Sequence, residues 1–102
     1  DITAVATVNT LTQYGIKVPE EVAVVGFNNG LISKLAVPSL TTIDQNGTLI
    51  SEKACKLLLN RIDTHVLTPY QTVVVPTKLV VRGSTVKDSG AEEIPARVSA
   101  NV

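Results

Sequence analysis

The run "VAVVGF" at 22–27 has no polar position anywhere in its six residues. A strand with one wet face alternates apolar and polar side chains. A run without alternation predicts a strand buried on both faces, as in a parallel sheet covered by helices. The preceding segment supports that reading. Ile2, Val5, Ala6, Val8 and Leu11 recur at steps of three or four, Asp1 or Thr3 can cap the helix they predict, and Gly15 can stop it. Pro19 forbids helix continuation, and Glu20–Glu21 reads as a solvated turn. Helix, short loop and buried strand make half of a βαβ unit, so an α/β fold is expected.

Residues 28–40 are irregular, with one or two helical turns expected between Leu31 and Val37. Leu31, Ile32, Leu35 and Val37 are too apolar for a free loop, so they pack on the core or meet a partner. "LTTID" at 40–44 reads as a short strand. Residues 45–63 carry the clearest helix, with Ile50, Ala54, Leu57, Leu58 and Ile62 on one face and a Glu52–Lys56 pair on the other. Residues 64–71 read as loop, and "TVVVP" (72–76) and "KLVVRG" (78–83) as two further strands. The polar tail, 86–102, is expected to be disordered.

Several functions are excluded by what the chain lacks. Nine basic and nine acidic residues cancel, so no net field draws it to nucleic acid or an anionic membrane. Phe27, Tyr14 and Tyr70 are the only aromatics, too few for a base-stacking platform. Cys55 and His65 are single residues of their kind, so neither a disulfide nor a metal cluster is expected. Cys55 sits in a helical pattern and reads as a small buried hydrophobe. No glycine-rich phosphate loop follows a strand, and Asp44 and Asp63 do not form a carboxylate pair. The chain is not expected to be an enzyme or to carry a cofactor. No apolar run approaches the roughly 18 residues of a membrane span. The first residue is Asp1 rather than Met, and the chain reads as a fragment.

The candidate site lies where the apolar run ends. Ligands of open α/β sheets bind outside the carboxyl ends of the strands, and Asn28 and Asn29 stand just past such an end. Asn is also a common turn residue that bonds its own backbone, so a local structural role stands beside the ligand reading. A carboxamide differs from a carboxylate in that it donates as well as accepts.

"DITAVATVNTLTQYGIKVPEEVAVVGFNN", "VPSLTTIDQN", "KACKLLLNRI" and "VVVPTKLVVRGST" occur in this order over residues 1–85. The series resembles the last third of LacI/GalR-family transcriptional regulators. The resemblance implies a periplasmic-binding-protein-like type I fold, of which 1–85 would supply the C-terminal part of both lobes. Residues 1 to about 41 and 77–85 would lie in one lobe, and 47–62 with 72–75 in the other. The position of Asn28 is usually an aspartate that hydrogen-bonds the effector. Gln45 matches a second pocket position, with Asn29 beside them as a further candidate. Gly47 stands where some relatives place an aromatic ring. Asp1 matches the aspartate of an Asn-Asp pair. Leu35, Ala36 and Val37 match part of a dimer surface, and the tail has no heptad of the kind that builds tetramers. The implied protein is a cytoplasmic homodimer that senses a sugar or sugar derivative and binds operator DNA through a helix-turn-helix absent from this chain. The alternative with the same fold is a periplasmic sugar-binding protein of a transporter. Either way, parts of two lobes would expose apolar faces, so the isolated chain is expected to self-associate.

Overall fold

A computed structural model of the chain describes residues 1–64, 69–86 and 92–95. The elements are α1 (Ile2–Gln13), α2 (Leu31–Leu35), β1 (Thr42–Asp44), α3 (Gly47–Thr64), β2 (Lys78–Val81) and β3 (Glu92–Pro95). Helix α1 ends as its sequence suggests. Gly15 takes φ +73°, its N–H donates to Thr12 O at 3.0 Å, and the Ile16 N–H donates to Leu11 O at 2.9 Å. The paired closure satisfies carbonyls the helix would leave open, in a conformation that Gly reaches without a Cβ clash. The other end departs from expectation. Asp1 occupies the N-cap position, but its side chain makes no capping bond. It accepts instead from Gly30 N–H and Thr42 Oγ1, each at 2.6 Å.

Val8, Val24 and Leu40 form the apolar core, with Ala4, Val5, Leu11 and Val18 packed around them. Full burial of side chains of this size stabilises by about 1.5–3 kcal/mol each. The core is small, and a buried polar layer continues it. Ser84 Oγ accepts from Thr41 N–H at 2.8 Å and donates to Val24 O at 2.6 Å. The Arg82 N–H donates to Thr41 Oγ1 at 2.7 Å. These bonds stitch residues 24, 41 and 82–84 together. No buried side-chain polar atom among the described residues lacks a partner, as a low-dielectric interior requires.

The run at 22–27 lies extended but is not a regular strand. It makes one parallel bridge, Val25 to Thr41. Gly26 N–H donates to Thr41 O at 2.8 Å and Asn28 N–H to Ile43 O at 2.9 Å. Val24 faces the core, whereas Val25 and Phe27 are 54% and 55% exposed. The expected burial on both faces is therefore absent. Helix α1 covers part of the run, and an open cleft of about 560 Å³ remains between them, lined by Thr7, Val22, Val25 and Phe27 among others.

The sheet pattern also differs from the parallel arrangement expected. Strands are ordered β1-β2-β3 and both pairings are antiparallel, with Thr42 opposite Val80 and Leu79 opposite Ile94. A parallel sheet needs successive βαβ units, and residues 1–27 supply only half of one. The strand expected at 72–75 is not formed, and Val73 and Val74 are exposed there. β-branched residues favour a strand only when a neighbouring strand receives their backbone groups. Within the tail expected to be disordered, Glu92–Pro95 pairs with β2, because the open edge of β2 offers donors and acceptors to an extended segment. Of the loop expected at 64–71, Thr64 ends α3 and 69–71 are irregular; residues 65–68, His65 among them, lie outside the described residues, as do 87–91 and 96–102.

Helix α3 follows its sequence pattern closely, but most of its apolar stripe is exposed, with Leu57 half-buried. Ile50, Leu58, Leu59 and Ile62 are exposed, and so is Cys55, which the sequence suggested would be buried. Among the described residues, 69–71 approach the stripe: Tyr70 lies under the Arg61 guanidinium, 4.3 Å from the ring centroid, and these residues share a cleft with Leu57 and Leu58, in a molecule of 60 × 22 × 21 Å.

Candidate functional site

Among the described residues the non-glycine positions with positive φ are Asn28 (111°), Asn29 (49°) and Asn46 (55°). All lie where the chain leaves the 22–27 run or β1. Asn tolerates this region better than other residues with a Cβ, because its short amide can bond nearby backbone. Two consecutive positive values turn the chain sharply after Phe27. They point the Asn28 and Asn29 side chains in different directions.

Asn29 is engaged inside the protein at both ends of its amide. Its Oδ1 accepts from Arg82 Nη2 at 2.7 Å, and its Nδ2 donates to Asp44 Oδ2 at 3.2 Å. Its backbone N–H donates to Thr42 Oγ1 at 3.2 Å. Asn28 is exposed. Its Oδ1 accepts from Gln45 Nε2 at 3.1 Å, so the structure brings together two of the residues picked out from the sequence. The pair joins the end of the first extended run to the crossover that leads into α3. The described residues offer no partner to Asn28 Nδ2 or Gln45 Oε1, which leaves donor hydrogens and an acceptor facing outward.

Asp44 organises the crossover. Its Oδ1 accepts from the Asn46 N–H at 2.8 Å. That bond first, and the Asn29 amide second, hold its carboxyl below the usual carboxylate range. Thr42 is fully buried and bonded to Asp1 on one side and Asn29 on the other. Gly47 begins α3 with open space where a Cβ would stand. Leu35 and Val37 are 70% and 87% exposed, with Ala36 half-buried between them.

Sequence reasoning missed Arg82. It is 7% exposed and also donates through Nη1 to Ser33 Oγ and Leu40 O, each at 3.0 Å. The available signal was a single cation ending the apolar run "KLVV" just before a glycine. Asp44 carried no signal beyond its failure to pair with Asp63, and Thr42 none beyond its β-branched neighbourhood. No group of His, Cys, Asp and Glu among the described residues could hold a metal ion. No described helix is long and apolar enough to cross a membrane.

The chain has the periplasmic-binding-protein-like class of fold. The family model for a periplasmic binding protein-like domain matches residues 1–85. Within that class the chain belongs to the LacI family of transcriptional regulators. It is 34% identical over 87 residues to the HTH-type transcriptional repressor PurR of Mannheimia succiniciproducens, a match covering 85% of this chain and 26% of that protein. A LacI-type transcription regulator from Bifidobacterium animalis subsp. lactis superposes with TM-score 0.72 at 35% identity, over 81% of this chain and 29% of that one. The transcriptional regulator CelR in its cellobiose complex does so with TM-score 0.72 at 33% identity, over 79% and 24%. The chain spans about a quarter of the length of the curated relatives it matches.

Proposed function

We propose that residues 1–85 act as the C-terminal part of the effector-binding and dimerisation domain of a transcriptional regulator. The effector is a small molecule of the sugar or sugar-derivative class. The Asn28–Gln45 pair carries this reading. An exposed carboxamide, Asn28, and a half-buried one, Gln45, from different segments meet where β1 ends and leave donors and an acceptor without a partner among the described residues, the pattern that adjacent sugar hydroxyls complement. Neither group is charged, so an effector bearing an anionic substituent meets no carboxylate repulsion at these two positions. CelR, similar in fold and sequence, is named in complex with cellobiose, which supports the carbohydrate class.

An effector bridging Asn28 and Gln45 links the core to the segment bearing α3. It thereby biases the arrangement of the two lobes and couples the pocket to operator DNA held by a helix-turn-helix outside this chain. The exposed Leu35 and Val37, with the half-buried Ala36 between them, supply part of a homodimer surface. A cytoplasmic regulator needs no membrane partner. The relatives reported above are named as regulators, which favours this reading over a transporter's periplasmic receptor.

The test is calorimetric titration of the full-length protein with neutral and phosphorylated mono- and disaccharides, repeated on Asn28→Ala. The expected outcome is binding of at least one sugar class, weakened about tenfold by the substitution, as the loss of one well-placed hydrogen bond gives. An unchanged affinity would remove Asn28 from the pocket.

A further inference from the structure

Asn29 stands between a buried cation and a carboxylate. Arg82 Nη2 donates to its Oδ1 at 2.7 Å, and its Nδ2 donates to Asp44 Oδ2 at 3.2 Å. The other Asp44 oxygen accepts from the Asn46 N–H at 2.8 Å. Gln45 lies between those two residues in the chain and reaches Asn28 at 3.1 Å. The bonds run in one direction, from guanidinium to amide, amide to carboxylate, and the carboxylate fastens the crossover backbone. Among side chains of this length only a carboxamide fits the middle place. Asp can accept from Arg82 but cannot donate to Asp44, and a cationic side chain can donate but not accept.

We propose that Asn29 is a positioning residue that clamps the 44–46 crossover to the buried Arg82 and so holds Gln45 against Asn28. Its role in effector recognition rests on the reading above and is exerted through Gln45 and Asn28 rather than by touching the effector. The clamp itself is independent of any ligand. It accounts for both halves of the "NN" pair: one amide faces outward, and the other holds the frame on which it works.

The test is residue-resolved amide hydrogen exchange on the full-length protein with no ligand added, read at the Asn46 N–H. Asn29→Gly keeps access to the positive φ but deletes the amide. Asn29→Asp keeps shape and turn propensity but cannot donate. Both are expected to exchange about tenfold faster or more at Asn46, while amides of α1 hold their rates. The combined Asn29→Asp/Asp44→Asn protein reverses one bond. The new carboxylate at 29 accepts from Arg82 and from the new amide at 44, whose oxygen still receives the Asn46 N–H. Exchange at Asn46 should return to within about threefold of the parent. Wild-type exchange in both single variants, or failure of the combined protein to recover, overturns the proposal. Because no effector is present, this failure is distinct from that of the pocket reading, which the Asn28→Ala titration decides.

Discussion

Arg82 Nη2 lies 2.7 Å from Asn29 Oδ1, which ties the end of β2 to the end of the first extended run across 53 positions of chain. A buried guanidinium is costly unless its donors are met. Here they reach Asn29, Ser33 and the Leu40 carbonyl, acceptors on separate segments that the same cation draws together.

Arg82→Met should therefore destabilise by about 3 kcal/mol, because it leaves several buried acceptors unpaired at once. Arg82→Lys should recover only part of that, since an ammonium cannot reproduce the planar fork. Urea unfolding of the full-length protein measures both.

Thr42→Val keeps shape and burial but removes the hydroxyl that donates to Asp1 and accepts from the Asn29 N–H. The expected loss is about 2 kcal/mol. Thr42→Ser keeps the hydroxyl and should cost about 1 kcal/mol or less, for the lost methyl. If the two variants unfold at the same urea concentration, the hydroxyl contributes nothing.

Gly26→Ala places a Cβ where Asp1 Oδ1 and Leu40 Cδ2 already sit. Both are side-chain ends, yet neither can swing away without loss. Leu40 is fully buried, and Asp1 is held by Gly30 and Thr42. A destabilisation of about 2 kcal/mol is expected, seen as a lowered thermal midpoint.

The Asp44 carboxyl has a lower pKa folded than unfolded. Its contribution to stability is therefore fully present above the unfolded value of about 3.9 and is lost as pH falls through the folded value. Stability measured from pH 6 downward should decline below about pH 4. Asp44→Ala should be less stable at pH 6 and show a shallower decline. Parallel curves for the two proteins would show that Asp44 is not a source of the acid sensitivity.

Leu35→Asp combined with Val37→Asp alters two exposed side chains. Unfolding should change by about 0.5 kcal/mol or less, whereas sedimentation should show weakened self-association of the full-length protein. Unaltered association would place the dimer surface elsewhere.

Elements defined by local rules were legible in the sequence. The three- and four-residue spacing in α1 and α3 needs only the helix's own geometry, and Gly15 closes α1 through bonds within five residues. The nearness of Asn28 to Gln45 was partly legible for a similar reason: paired amides after an apolar run mark the end of an extended segment. What the strands pair with was not legible, because β-branched runs at 22–27, 72–75 and 78–81 carry the same local preference, and only the last forms a regular strand. Burial was undecided too. Cys55 and most of the α3 stripe have the composition of a core yet are exposed, and only Leu57 is half-buried. The different surroundings of Asn28 and Asn29 were decided in three dimensions alone. Both residues are the same amide with positive φ, and they differ because a buried cation 53 positions away and a carboxylate 15 positions away converge on one of them. Hydrogen bonds act over about 3 Å of space, whatever the separation along the chain.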